Sequence, residues 1–193
     1  MIHLIGIRSE VWQNNPMTVG RFLLREYGSW GVMLLSFLAG VGAAGGFTPA
    51  SLVVLAGLSL SINAKQAFTE WMRGTGADAR TAFTALAFQA LTAAALFWFS
   101  LGSLFLPLAP YAAVPLAYLL LLRFQGEHAL VTEAAGFVLL SLSSLVSFAA
   151  VTSHIDPRLF LAVAVFFVAG VFKVRIQFRK RVRDRVVMAV YLA

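Results

Sequence analysis

The stretch that decides the fold is "ASLVVLAGLSLSINAKQAFTEW", residues 50–71. Its first thirteen residues contain no charged side chain, whereas Asn63, Lys65, Gln66 and Glu70 follow within eight positions. A helix crosses about 30 Å of hydrocarbon with roughly 20 apolar residues, so the stretch is long enough to span a membrane. Its polar end has two interpretations: it lines a polar site, or it is an ordinary helix end that reaches water.

The composition of the whole chain agrees with a membrane location. Hydrophobic residues make up 60% of the 193 residues, charged residues 12%, and the mean hydropathy is +0.85. A soluble domain of this size cannot hide so much apolar surface from water. We therefore predict a polytopic membrane protein that forms one domain over residues 1–193.

Six apolar stretches have the length of a membrane-spanning helix. No series of ten-residue segments with alternating polarity is visible, so we predict an all-α transmembrane bundle. The turns between the stretches are rich in Gly, Pro, Ser and Asp, as in "GGFTP" and "RGTGADAR". The predicted spans are residues 30–47, 50–71, 81–101, 103–122, 132–151 and 159–174.

The two ends of the chain have different characters. Residues 16–29 place apolar and basic side chains on different faces, which predicts an amphipathic helix along the membrane interface. Residues 175–193 form a basic tail that ends in "VVMAVYLA", which is too short to span and is either an interfacial stub or the start of a seventh helix. We expect no cleavable signal peptide, because an apolar run at the start is broken by Arg8 and Glu10.

The basic residues predict the orientation. With six spans, 13 of the 15 Lys and Arg residues fall on the side of the two termini, and Arg158 alone lies on the other. Both termini are therefore expected in the cytoplasm. This bias also explains the sequence pI of 10.6 without a nucleic-acid partner, and membrane lipids are the expected partners instead. The 13 residues are Arg8, Arg21, Arg25, Arg73, Arg80, Arg123, Lys173, Arg175, Arg179, Lys180, Arg181, Arg183 and Arg185.

Several kinds of cofactor chemistry find no residues to support them. The chain has no cysteine, which excludes disulfides and iron–sulfur clusters. All three histidines fall in predicted tails or loops, so a haem held between two histidines inside the membrane is not expected. Metal-hydrolase and phosphate-loop motifs are also missing. We expect no cofactor and no metal site.

The polar end of residues 50–71 is the first candidate ligand-binding site. Asn63, Gln66 and Glu70 share one helical face, and the short Asn63 side chain is too deep to reach bulk water. These side chains therefore either join helices to each other or line a ligand site. Lys65 lies about 22 Å from Ala50, so it either extends to the membrane surface or points to the same site.

The end of the sixth span is the second candidate. Lys173, Arg175 and Arg179 continue beyond the apolar run on the same side of the membrane as Lys65. They either form a basic collar that touches anionic headgroups, or point into the bundle and hold an anion.

One short motif resembles a known family. "LLREYGSWGVMLLSFLAG", residues 23–40, is similar to the opening of the YwiC-like membrane proteins, with an Arg-Glu pair, an aromatic residue, a Gly and a Trp before the first span. "EHALVTEAAGFVLLSL" and "FVAGVFKVRIQFRKR" also fit that family. The resemblance covers most of residues 21–183 and implies an integral protein of the bacterial inner membrane without an established activity.

The order of spans and polar ends resembles, more distantly, the UbiA-type prenyltransferases. That resemblance implies carboxylates after the second and sixth helices, which would hold Mg²⁺ ions and an isoprenoid diphosphate. Here the first place offers Asn63 and Glu70 with Ala67 between them, and the second offers basic residues. The metal-binding acids of that family are therefore not present in this chain.

Three functions remain open at this stage. A protein without catalytic residues could bind an anionic lipid or isoprenoid directly through Lys65, Lys173 and Arg175. Alternatively, glycines such as Gly42 and Gly46 and the aromatic run "AVAVFFVAGVF" suit an accessory subunit of a larger respiratory or photosynthetic membrane complex. A divergent prenyltransferase-like enzyme is the third.

Overall fold

The structure, a computed structural model, describes residues 27–125 and 129–179, and every regular element in these ranges is helical. The predicted all-α class is therefore confirmed for this part of the chain. Short 3₁₀ turns at Gly102–Leu104 and Ala109–Ala112 flank the fourth helix. The helices are α1 Tyr27–Ala43, α2 Pro49–Arg73, α3 Gly76–Leu101, α4 Phe105–Leu108, α5 Ala113–Gln125, α6 Leu130–Thr152 and α7 Pro157–Arg179.

Local chemistry fixes both ends of α2. Thr48 is its N-cap and exchanges hydrogen bonds with Ser51: the Ser51 N–H donates to Thr48 Oγ1 at 3.2 Å, and the Thr48 N–H donates to Ser51 Oγ at 3.0 Å. Pro49 occupies the first turn, where its missing N–H costs nothing. At the other end, the Gly74 N–H donates to the Glu70 carbonyl at 2.8 Å. Only Gly74 and Thr75 separate α2 from α3, so the two helices form a tight hairpin.

The number of spans differs from the prediction of six. Four helical stretches in the described residues have the length and apolar composition of a membrane span: Pro49–Arg73, Gly76–Gln125, Leu130–Thr152 and Pro157–Val174. The apolar part of α1 is shorter, at Gly28–Ala43. The predicted third and fourth spans fall within one helical stretch, Gly76–Gln125, so six separate spans are not confirmed.

The region of the predicted fourth span is irregular because of its composition. Gly102 ends α3 with a φ of +50°, a conformation that glycine adopts at little cost. Pro107 and Pro110 then remove two backbone donors, and the chain passes through short 3₁₀ and α turns before α5 begins at Ala113. α3 packs mainly against α2, whereas α5 packs against α6. The two parts of this stretch therefore have different neighbours.

Two of the predicted terminal segments lie largely outside the described residues. Residues 27–29, predicted as the end of an interfacial helix, are instead the first residues of α1. Residues 175–179, predicted as part of the tail, continue α7. The rest of the interfacial helix, residues 16–26, and the rest of the tail, residues 180–193, are not described.

α6 is the central helix of the bundle. It packs against α1, α7, α5 and α2. Gly40 near the end of α1 meets Ser144 and Ser147 near the end of α6, so these two helices run parallel. Tyr118 of α5 meets Gly136 near the start of α6, so α5 runs the other way. The main apolar cluster joins α1, α2, α3 and α6; its members are Met33, Phe37, Val41, Val54, Leu58, Ile62, Leu101 and Ala149.

These helix directions give the bundle two chemically different ends. The basic end, as we call it, collects the starts of α1, α3 and α6 and the ends of α2, α5 and α7. Of the eight Lys and Arg residues in the described ranges, seven lie in the half of their helix nearer this end, and Arg158 lies at the opposite end. The seven are Lys65, Arg73, Arg80, Arg123, Lys173, Arg175 and Arg179.

Candidate functional site

The polar side chains of residues 63–70, near the end of α2, are buried or half-buried. Asn63 is buried, with 8% of its surface exposed, and Gln66 and Glu70 are half-buried. Gln66 Nε2 donates a hydrogen bond to Glu70 Oε1 at 3.2 Å, one turn along the helix. This pair satisfies part of the polar face without a second helix, as an i to i+4 spacing allows. The burial of Asn63 is compatible with both a packing role and a ligand site.

Lys65 lies on α2 between Asn63 and Gln66 in sequence but on a different helical face from Asn63, Gln66 and Glu70. It is half-buried, and eight residues separate it from Arg73 at the end of the helix, a distance of about 12 Å. Asn63, Lys65 and Glu70 each interact with other groups of the protein. The side chain of a lysine at this depth can bring its ammonium group toward the headgroup region while its stem stays in apolar surroundings.

The basic residues of α7 lie in a different part of the bundle. Lys173 is exposed on the last turns of the helix. The helix backbone carries Arg175 and Arg179 further toward the basic end, but their side chains are outside the described part of the structure. The main neighbours of α2 are α3 and α6, whereas those of α7 are α6 and α1. The two predicted groups of site residues thus share an end of the bundle but lie on helices that are not each other's main neighbours.

The structure draws attention to a further polar side chain, Gln89. Gln89 lies on α3 and is half-buried, and its Oε1 atom is buried with no hydrogen-bond partner among the described residues. It shares a helical face with Ala82 and Ala93, which are both buried. Sequence reasoning missed Gln89 because it stands alone in an apolar run. The signal that could have identified it is the presence of a polar, uncharged side chain in the middle of a predicted span.

A close contact joins α1 to α6. A Cβ atom on Gly40 would overlap Ser147 Oγ and the Ser144 carbonyl oxygen, so the backbones can approach only because residue 40 is glycine. Gly42 and Gly46, which the sequence offered for close helix approach, have no described atom within 4 Å of a Cβ built on them. Gly46 also lies beyond the end of α1.

Serines of α6 are buried along this contact. Ser141 donates to the Phe137 carbonyl at 2.8 Å and Ser144 to the Ser141 carbonyl at 2.8 Å, so both are satisfied by their own helix. Ser147 donates to the Ser144 carbonyl at 3.2 Å and also to the Phe37 carbonyl of α1 at 3.0 Å. The hydroxyl of Ser147 is therefore a polar link between two helices.

Aromatic pairs mark two levels on the α2–α3 hairpin. Trp71 and Phe83 lie 5.7 Å apart between ring centroids toward the basic end, and Trp98 and Phe105 lie 5.5 Å apart toward the other end. Fifteen residues of α3 separate Phe83 from Trp98, or about 22 Å. Tryptophan and other aromatic side chains gather where hydrocarbon meets headgroups, so the two pairs resemble the aromatic belts of a membrane protein.

The described residues contain no cluster suited to a metal ion. No group of three or more His, Cys, Asp or Glu side chains comes together within residues 27–125 and 129–179. Of the candidate residues, α2 carries uncharged amides, one lysine and one glutamate, and α3 carries the amide of Gln89. Such a set can bind an anion and hydrogen-bond donors directly.

Comparison with known proteins identifies the family. No curated protein and no solved structure gives a significant match to the chain. The family model described as YwiC-like protein matches residues 23–148, which are 126 of the 193 residues. This match confirms the YwiC resemblance and includes α1 to α5 and most of α6. The chain, with its apolar helices of a multi-pass membrane protein, belongs to the YwiC-like family.

Proposed function

We propose that this YwiC-like protein binds an anionic lipid at the basic end of its bundle, with Lys65 as the main contact to the lipid's charged group. In this proposal the bundle lies in the inner membrane with the basic end and both termini in the cytoplasm. The protein binds the lipid, which can be a phospholipid or an isoprenoid phosphate, without converting it. Lys173, Arg175 and Arg179 of α7 attract anionic headgroups to the same leaflet.

The observation that carries the proposal is the position of Lys65. It is half-buried on α2, at the same level of the helix as buried Asn63 and the hydrogen-bonded Gln66–Glu70 pair but on a different face. Lys65 interacts with other groups of the protein, and its ammonium group carries three N–H donors, so it can also donate to a lipid phosphate. The Lys65 stem can extend toward the basic end and bring its ammonium group to a lipid phosphate at about the level of the Trp71–Phe83 pair.

The separation of charge along the bundle adds a long-range attraction. Seven basic residues lie near one end in the described ranges, and anionic lipids of the cytoplasmic leaflet are attracted to such a surface. An attraction of this kind is screened by salt, whereas a contact to a half-buried lysine is screened less. Salt dependence therefore separates lipids held by Lys65 from lipids gathered by the basic surface.

Lipid retention during purification tests the proposal. The protein is purified in mild detergent at low and at high salt, and the bound lipids are quantified by mass spectrometry. We expect an anionic lipid to remain at high salt in the natural protein and in Arg158→Ala, whose changed residue lies at the opposite end. We expect Lys65→Ala to lose it. Equal retention in Lys65→Ala, or bulk phospholipid in all samples, contradicts the proposal.

The alternative is an accessory subunit of a larger membrane complex. Large apolar side chains are exposed along the outer face of α3, among them Phe88, Leu91 and Phe99. Acyl chains and a partner protein can both cover such a face. Chemical crosslinking in native membranes followed by a native gel distinguishes them, because a subunit migrates with a defined heteromeric partner and a lipid-binding protein does not.

A further inference from the structure

Gln89 has a feature that lipid binding by Lys65 alone does not use. Its Oε1 atom is buried and accepts no hydrogen bond from the described residues, although its side chain is only half-buried. An unsatisfied carbonyl oxygen in an apolar environment is unfavourable, because no water replaces the missing donor. Hydroxyl groups elsewhere on α3 are satisfied locally: Thr84 donates to the Arg80 carbonyl and Thr92 to the Phe88 carbonyl.

Contacts between α2 and α3 place Gln89 level with Lys65. Trp71 packs against Phe83, and Gly57 lies against the Phe97 ring. Lys65 is six residues before Trp71, and Gln89 is six residues after Phe83. Counted from the other contact, Lys65 is eight residues after Gly57 and Gln89 eight residues before Phe97. The two helices are antiparallel and rise by the same distance per residue. Lys65 and Gln89 therefore lie at the same height along the bundle, whichever contact the count starts from.

The height shared by Lys65 and Gln89 lies on the hydrocarbon side of the membrane boundary that the Trp71–Phe83 pair marks. Gln89 is about 9 Å beyond Phe83 along the axis of α3, and Trp98 is about 14 Å further on. In the proposed binding mode the flexible Lys65 stem extends from this level toward the basic end, which is the direction of the membrane surface. A lipid phosphate held by the Lys65 ammonium group therefore lies nearer the surface than the Gln89 carboxamide, and the first atoms of the lipid's apolar part pass Gln89.

We propose that Gln89 accepts a hydrogen bond from a hydroxyl or amide N–H group located between the anionic group of the bound lipid and its acyl chain. This inference rests on the proposed function and narrows its ligand class to anionic lipids with such a donor. Lys65 supplies the charge contact, and Gln89 distinguishes lipids that carry the donor from lipids that lack it. The Gln89 side chain is half-buried although Oε1 itself is buried, so in this proposal the carboxamide turns toward the ligand and exposes Oε1, without separation of α2 and α3.

Two lipids that differ only at the donor test the inference. The probes are 1-oleoyl lysophosphatidate, with a free hydroxyl at the second glycerol carbon, and its 2-O-methyl ether. Monooleoylglycerol is the uncharged control. Dissociation constants are measured with the full chain in phosphatidylcholine nanodiscs for the natural protein, Gln89→Leu, Lys65→Ala and Thr92→Val. Thr92→Val is the matched control, since it removes a hydroxyl that its own helix satisfies, nearly one turn further along α3.

The natural protein is expected to bind the hydroxyl lipid about 2- to 10-fold more tightly than the methyl ether, the ratio that one uncharged hydrogen bond gives. Gln89→Leu removes this ratio, and its melting temperature shows whether the variant is folded. Thr92→Val keeps the natural ratio. Gln89→Met replaces Gln89→Leu if the leucine variant has a lower melting temperature.

The outcomes separate this inference from the proposed function. If the natural protein binds both anionic probes more tightly than monooleoylglycerol but equally well, or if Gln89→Leu keeps the preference, Gln89 has no such role and the lipid site stands. If neither anionic probe is preferred over monooleoylglycerol, and Lys65→Ala changes nothing, the proposed function itself is overturned.

Discussion

Gly40 and Ser147 are in direct contact across the α1–α6 boundary, and no side chain larger than a hydrogen atom fits at residue 40 without displacement of α6. The Ser147 hydroxyl also bonds to the Phe37 carbonyl of α1 at 3.0 Å. A parallel pair of helices is thus joined by backbone proximity and by one hydrogen bond at the same place. This is the mode of association expected in lipid, where helices gain little from the hydrophobic effect.

Gly40→Ala is predicted to destabilise the bundle by about 1–3 kcal/mol, because the added methyl group overlaps Ser147 Oγ and the Ser144 carbonyl. Gly42→Ala is the control two residues away: no described atom lies near its Cβ position, so we expect a neutral effect or a gain of up to about 1 kcal/mol from helix propensity. Unfolding by denaturing detergent, followed by circular dichroism, measures both. Equal destabilisation of the two variants contradicts the packing described here.

Ser147→Ala is predicted to destabilise the protein by about 0.6 kcal/mol, the average for a hydrogen bond between helices in a membrane. The loss is small because the Phe37 carbonyl keeps its place in the α1 ladder. Ser141→Ala removes a hydroxyl that bonds only to its own helix, to the Phe137 carbonyl, and is expected to have a smaller effect. The same detergent titration compares them, and a larger loss in Ser141→Ala refutes the role of Ser147 as a link.

The orientation of the bundle is open to a direct labelling experiment, since the chain contains no cysteine. Thr75→Cys places a thiol in the exposed turn at the basic end, and Ser153→Cys places one in the exposed turn at the opposite end. The positive-inside rule predicts that a membrane-impermeant thiol reagent labels Ser153→Cys in intact cells and labels Thr75→Cys only after permeabilisation. The reverse pattern places the basic end outside.

The two aromatic pairs predict where the membrane begins and ends. Trp71 and Trp98 are each expected near a boundary, and Leu91, eight residues from Phe83 and seven from Trp98, near the middle. Three variants each keep one tryptophan: Trp71, Trp98, or a new one made by Leu91→Trp. Lipids brominated at different depths quench tryptophan fluorescence, and the quenching reports the depth of each residue. We expect shallow quenching for the first two and deep quenching for the third. Deep quenching at position 71 places Lys65 too far from the headgroups to bind a phosphate.

Much of α2 could be predicted from the sequence, because its limits are set by neighbouring residues. The start of the helix is indicated by Thr48, Pro49 and Ser51, which are typical of a capped N-terminus. The polar side chains after Ile62 indicate that the apolar run is ending. The predicted fourth span, residues 103–122, could not be predicted as accurately. Its hydropathy is that of a span, but Pro107 and Pro110 break the backbone hydrogen-bond ladder, and hydropathy does not register this.

The positions of the candidate site residues within one helix could be predicted, but their relation to other helices could not. Asn63, Lys65, Gln66 and Glu70 lie on one helix, so their relation follows from helical spacing alone. The relation of Lys65 to Gln89 depends on the length of the α2–α3 turn, and α3 begins at Gly76, five residues before the predicted start of that span. Which glycine of α1 faces α6 likewise depends on the rotation of α1 about its axis, a tertiary property.

The order in which the helices are made has a consequence for biogenesis. The α2–α3 hairpin closes through a two-residue turn and can pair as soon as it is synthesised. The main neighbour of α1 is made much later, because Phe37 and Ser147 are 110 residues apart in the chain. At usual translation rates α1 therefore resides in the bilayer for about 5 to 20 s before its main neighbour emerges. During that interval Ser36, which is fully buried in the finished protein, faces lipid or the insertion machinery.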